Sequence, residues 1–247
     1  DGSKNAMLPG WEKFRQRIGG DAAARALFVE MTRGEAALLD AYENNGKDVD
    51  LARERLTSLV QTPDPGGISV ASAATLLLIV SEKRDEGVQE SRLHFHQLFN
   101  YGDVQTRLRR EGTANDPFRK IVGQWISGAN PNNISVAYTM LNLSMEYDFK
   151  EGLPIAESLA GQNGAVPYYR MMAAMAIGKL GDRSQLTTIE RILEDQRVCT
   201  RISIDNKTVD IQVRDAALAV LIDMTHQAHA DYWMPRVHKP PNGNYDI

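Results

Sequence analysis

Apolar residues recur at helical spacing through most of the chain. After Asp21, the residues Leu27, Phe28 and Met31 of "AAARALFVEM" share one face of a 3.6-residue repeat. Thr32 and Glu35 read as a capping box that opens a second helix over "EAALLDAYE". Asp48 or Asp50 caps "LARERLTSLV", whose apolar stripe is Leu51, Leu56, Leu59 and Val60. The prolines and glycines of "QTPDPGG" stop helix formation, and Ser69 restarts it. "SVASAATLLLIVSEK" is apolar nearly all round, which suits a helix enclosed by neighbours, and "GVQESRLHFHQLF" follows it. Asp116 before Pro117 pairs an N-cap with a first-turn proline for "PFRKIVGQWI". "NPNN" leads into "ISVAYTMLNLSMEY", "KEGLPIAESLA" makes a shorter helix, Pro167 opens "YYRMMAAMAIGKLG", and Asp182 or Ser184 caps "QLTTIERILED".

One stretch breaks the helical period. In "RISIDNKTVDIQ" and its flanks, Val198, Thr200, Ile202 and Ile204 alternate with polar neighbours, and Val209, Ile211 and Val213 continue the period of two after "DNK". Asp205 and Asn206 tolerate the positive backbone angles of a tight turn, so the pattern predicts a β-hairpin over about 198–213. An isolated hairpin is marginal in water, so its apolar face is expected against the helices, as an enlarged connection that flanks the last helical pair. The functional alternative is a free edge that accepts a partner strand; Arg201, Asp205, Lys207 and Asp210 supply charges of the kind that blunt such edges.

Short helices joined by tight turns fit a bundle or a helical solenoid, and internal similarity favours the solenoid. "RMMAAMAIGKLGD" and "RDAALAVLIDMT" repeat an arginine, small residues and an apolar run about 44 positions apart. "AYTMLNLSMEYDFKEGLPIAESL" matches "MAAMAIGKLGDRSQLTTIERIL" at an offset of about 33 to 34. "MAIGKLGDRSQLTTIERILED" resembles a HEAT-type repeat. More broadly, "WEKFRQRIGGDAAARALFVEMTRGEAALL", "YDFKEGL" and "QVRDAALAVLIDMT" resemble a group of uncharacterised bacterial helical-repeat proteins, over about Trp11 to Tyr232. The resemblance implies an all-α, right-handed solenoid of stacked antiparallel helix pairs of HEAT or armadillo type, carrying a small β-hairpin insertion. It implies no activity and no cofactor. Members are often exported, so the resemblance favours an exported or periplasmic location over a cytoplasmic one.

Composition changes this picture little. The 247 residues are 43% hydrophobic and 24% charged, an ordinary globular balance, and a net charge of -4 gives no basic excess that would draw the whole molecule to nucleic acid or an anionic membrane. Cys199 is the single cysteine, which excludes an intramolecular disulfide. The longest apolar run, Ala73 to Val80, is far short of the roughly 18–20 residues of a membrane span. Polar residues 1–7 read as a disordered terminus, left by cleavage or by expression, and 235–247 as an extended tail. One HEAT-like domain is expected over 8–234.

The chemical constellations are sparse. His94 and His96 point about 200° apart on a helix and cannot share a metal. Asp223, His226 and His229, with His238 downstream, have the residue types of a zinc set, but the helix is expected to end among them, so no metal is assigned. Arg107, Arg109, Arg110, Arg119 and Lys120 form the densest basic cluster, near Phe118 and Trp125, and could grip a nucleic-acid backbone; Glu111 and Asp116 dilute it to a solvated charged face. Glu146, Asp148 and Glu151 invite an acid–base reading, but Asp148 and Asp182 are better explained as caps of the helices that follow. "GKLGD" lacks the spacing of a phosphate loop, and Cys199 has no histidine beside it to activate a nucleophile.

These observations predict a non-catalytic scaffold or adaptor that binds a protein or peptide on the concave face of a helical repeat. Tyr168, Tyr169, Arg170 and Arg214 are the expected contact residues, the two arginines alternatively linking one repeat to the next by salt bridges. A nucleic-acid-binding repeat protein using Arg107–Lys120 and Trp125 is the second reading, and a metal-dependent enzyme around Asp223, His226 and His229 the third.

Overall fold

A computed structural model describes residues 8–44, 48–61, 67–82, 86–110, 115–204 and 207–232. The expectations for residues 1–7, for the turn residues Asp205 and Asn206 and for the tail 235–247 lie outside the described residues. The chain forms two compact units, Asp1–Ala129 and Asn130–Ile247.

Among the described residues the first unit is built from α1 (Trp11–Ile18), α2 (Ala22–Glu43), α3 (Asp48–Gln61), α4 (Val70–Glu82), α5 (Glu86–Phe95), α6 (Gly102–Arg109) and α7 (Pro117–Ser127). Asp21 caps α2 by accepting the Ala24 N–H at 2.8 Å, Ser69 Oγ accepts the Ser72 N–H at 3.1 Å, and Asp116 accepts the Phe118 N–H at 2.9 Å. The all-round apolar α4 is enclosed by α2, α3 and α7, and every residue from Ser72 to Ser81 is buried. Arg17 of α1 fastens this core: its guanidinium donates to the Tyr42 hydroxyl, the Leu78 carbonyl, Ser81 Oγ and Gln124 Oε1, which reaches α2, α4 and α7 at once.

Two local expectations are corrected here. The break at Glu35 is real, since its φ of -136° and ψ of 38° kink α2, but no capping box forms. Thr32 Oγ1 donates to the Phe28 carbonyl instead, and the buried Glu35 carboxylate takes a forked interaction from Arg55 at 2.9–3.1 Å. A charged partner on α3 outcompetes the neutral backbone N–H for that carboxylate. On α3 the inward face is Asp48, Ala52, Leu56 and Leu59, whereas Leu51 and Val60 are 40% and 36% exposed. Spacings of four, four and three hold one face, and a step of one residue turns a side chain about 100° away from it.

The second unit contains α8 (Ile134–Tyr147), α9 (Leu153–Gly161), α10 (Pro167–Leu180), α11 (Leu186–Glu190), strands β1 (Val198–Ile204) and β2 (Lys207–Gln212), and α12 (Val213–Met224). Helix α10 is the hub, packing against α8, α9 and α12. The C-terminal end of α10 meets that of α8, where Lys179 Nζ pairs with Asp148 at 3.2 Å. The N-terminal ends of α10 and α12 both meet Asp195, through the Arg170 side chain and the Arg214 N–H. Helices α8, α10 and α12 therefore run in the same direction. Helix α9 returns against them, with Ala160 at its C-terminal end accepting from Arg170 at the start of α10. The turn after α10 needs glycine, because a Cβ at Gly181 would sit 2.7 Å from the Ile177 carbonyl oxygen. Asp148 does not cap the helix that follows; it adopts the left-handed conformation, φ 56°, and closes α8.

The hairpin is present. β1 and β2 pair antiparallel, with Ile202 opposite Val209 and Thr200 opposite Ile211, and a bulge lies between Val198 and Thr200. Its apolar face is covered only near the root: Ile211 and Val213 are buried, whereas Val209 is 41% exposed. Val213 does not extend the strand, because the Gln212 N–H donates to the Asp215 carboxylate at 2.8 Å and α12 begins there.

Candidate functional site

Pro167 presets the first turn of α10 and places Tyr168 and Tyr169 in it, beside Tyr138 in the first half of α8. The three rings touch. Tyr138 and Tyr169 have centroids 5.3 Å apart, Tyr138 and Tyr168 lie at 5.9 Å, and Tyr168 meets Tyr169 edge-on, also at 5.9 Å. The Tyr138 and Tyr168 hydroxyls share a hydrogen bond of 3.3 Å. That bond, followed by partial burial, raises the Tyr168 phenol above its ordinary range, so its hydroxyl stays a neutral donor and acceptor near pH 7. Tyr168 remains 38% exposed, and Val166 next to it is 55% exposed. The result is an aromatic surface with hydroxyls at its edge and no formal charge of its own.

Arg170, one residue beyond, turns inward and is buried. Its guanidinium donates to the Ala160 carbonyl at 2.9 Å, to Asp195 Oδ2 at 2.7 Å and to Asn163 Oδ1 at 3.1 Å. Asp195 also takes Arg197, whose Nη2 lies 2.6 Å away and whose Nη1 reaches the Ala165 carbonyl at 3.0 Å. Arg197 foremost, and then Arg170, hold the Asp195 carboxyl far below the usual carboxylate range against the opposing effect of burial. The network ties the end of α9, the 162–166 loop, the start of α10 and the root of the hairpin into one support beneath the tyrosines. Arg214 does not reproduce it: its side chain is 44% exposed and its nearest carboxylate contact is a loose 4.0 Å to Asp215.

The basic cluster is dispersed into structural roles. Arg107 pairs with the buried Asp116 carboxylate at 2.6 Å, Arg119 donates to the Leu108 carbonyl at 2.7 Å, and Lys120 lies 3.4 Å from the Ile18 carbonyl. Trp125 is wholly buried with its ring 5.4 Å from Phe99, so it cannot stack on a base; it is a core residue of α7. Arg109 and Arg110 are exposed.

Asp223 is half-buried in α12, His226 is exposed in a left-handed conformation past the helix end, and the His229 side chain lies outside the described residues. Among the described residues no group of three or more His, Cys, Asp or Glu is placed to hold a metal ion. An open cleft of about 330 Å³ beside Asp223 and His226 is lined also by Lys179, Asp182 and Arg183. His94 is exposed, and His96 tilts against Phe99 at 6.2 Å. Glu146, Asp148 and Glu151 are all exposed, without the contrasting surroundings that separate an acid from a base. Cys199 is half-buried; its thiol donates to the Ile211 carbonyl at 3.1 Å, and burial pushes it above the ordinary thiol range.

Tyr138 is the member of the aromatic surface that the sequence reading missed. At the repeat offset of 33 to 34 Tyr138 aligns with Met171 or Met172 and not with the tyrosines that open α10, so the internal repeat carried no signal for it.

Compared with known proteins, the chain matches no family model, no curated sequence and no solved structure. Among the described residues no helix is long and apolar enough to cross a membrane.

Proposed function

We propose that this chain is a non-catalytic, HEAT-like helical-repeat protein that binds a protein partner through the Tyr138, Tyr168 and Tyr169 surface. The solenoid reading is supported in the second unit, where α8, α10 and α12 run parallel and α9 returns between the first two, as stacked antiparallel pairs would. The observation that carries the binding reading is the three-tyrosine cluster, with Tyr168 exposed and Tyr138 and Tyr169 half-buried, over a buried ion network. Tyrosines are enriched where interfaces concentrate their energy, since each offers a large amphipathic contact area for few rotatable bonds. Arg170, one of the residues expected to touch the partner, supports the surface from beneath, and Tyr138 joins Tyr168 and Tyr169 on it.

The test is partner capture followed by measurement with purified components. Tyr168→Ala and Tyr138→Ala should each weaken the complex by about tenfold or more, which corresponds to about 1.4 kcal/mol. The melting temperature of Tyr168→Ala should stay close to wild type, because the ring is partly exposed. An affinity unchanged in the double variant would defeat the reading.

A further inference from the structure

The hairpin presents an unfinished sheet. Among the described residues β1 and β2 are its only strands, so the outer edge of β2 has no strand alongside it. Two strands alone are marginal in water; packing on α10 and α12 supports β1 and β2, and further strands are the other remedy. The apolar face also stays open beyond the root, where Val209 is 41% exposed opposite a half-covered Ile202. The two edges are not equivalent. A bulge between Val198 and Thr200 distorts β1 and blunts its edge, whereas β2 runs regularly from Lys207 to Gln212.

We propose that two copies of this chain dimerise by antiparallel pairing of β2 with β2 about a two-fold axis at Val209, giving a continuous four-stranded sheet. The occupant follows from self-complementarity. Arg201, Asp205, Lys207 and Asp210 balance to zero within the hairpin, although the whole chain carries a charge of -4, so two copies of the hairpin meet without net repulsion. With Val209 opposite its own copy, the observed Ile202–Val209 pair extends into a row of four apolar residues, Ile202, Val209, Val209 and Ile202, across the joined sheet. On the other face Thr208 falls opposite Asp210 of the second copy, and Asp210 keeps its 2.7 Å bond from Arg201. No like charges stand opposite one another. Pairing one edge with itself closes the assembly at two copies, and a foreign strand would lack this symmetry. The inference is independent of the tyrosine surface.

Sedimentation of the full chain from about 1 to about 100 µM should show reversible dimerisation. Val209→Lys should leave a monomer at every concentration, with the melting temperature that the wild type shows at the dilute, monomeric end, because the position is exposed. The register is tested separately in a Cys199→Ser background: Val209→Cys should oxidise to a disulfide-linked dimer, and Thr208→Cys, opposite Asp210, should not. A chain that stays monomeric throughout, a dimer that survives Val209→Lys, or equal cross-linking at both positions would overturn the proposal. A monomer that instead takes up an added strand peptide from another protein would overturn it as well.

Discussion

Asp195→Ala should destabilise the second unit by about 3–5 kcal/mol in urea titration, because it leaves the buried Arg170 guanidinium without its counter-charge. The comparison that isolates burial is Asp210→Ala. The Arg201–Asp210 pair is equally short at 2.7 Å, but its side chains are 69% and 47% exposed, and its loss should change stability by about 0–1 kcal/mol. The Asp195 contribution has a defined pH signature. Its carboxyl is held far below the ordinary range by Arg197 and Arg170, so the unfolded chain binds this proton more readily than the folded one. The stabilisation is therefore complete above the ordinary carboxylate pKa of about 4 and is lost progressively as pH falls below it. The stability gap between wild type and Asp195→Asn should hold steady from neutral pH down to about 5 and narrow below about 4. A gap constant to pH 3 would mean that the carboxylate charge is not what holds the network.

The second large effect is expected at Trp125. Replacing this wholly buried ring with alanine should destabilise the first unit by about 3–5 kcal/mol, through lost burial and the cavity left between α7 and the Phe99 ring. Trp125→Phe retains most of the apolar volume and should cost markedly less. The pair separates a core role from a base-stacking role: near-native stability in Trp125→Ala would contradict the packing described for α7.

How much of this was legible in the sequence depended on range. Caps that act within three residues, at Asp21, Ser69 and Asp116, were readable because side chain and backbone partner travel together. The hairpin was readable for the same reason, its alternation being local. Glu35 was not, because its choice between the backbone and Arg55 is made by a residue 20 positions away. Helices α1 and α6 escaped because each is only eight residues long, although Trp11, Phe14 and Ile18 of α1 stand at helical spacing; α1 is delimited by Gly10 and Gly19, both at positive φ. At the site, Tyr168, Tyr169 and Arg170 are consecutive, and composition alone cannot say which points outward. That is settled by Asp195 and Ala160, which capture the arginine, and by Tyr138, 30 residues upstream, which receives the tyrosines. Trp125 looked like a stacking platform because a basic surface and an aromatic lie together in sequence, but the amphipathic α7 turns one outward and the other into the core.

Hydrogen–deuterium exchange of the protein alone and in complex with its captured partner tests the central claim most directly. The account predicts new protection at the start of α8 around Tyr138 and over Val166–Arg170, with residues 107–110 unchanged. Protection confined to the 107–120 segment, with the tyrosine surface exchanging as freely as before, would contradict it.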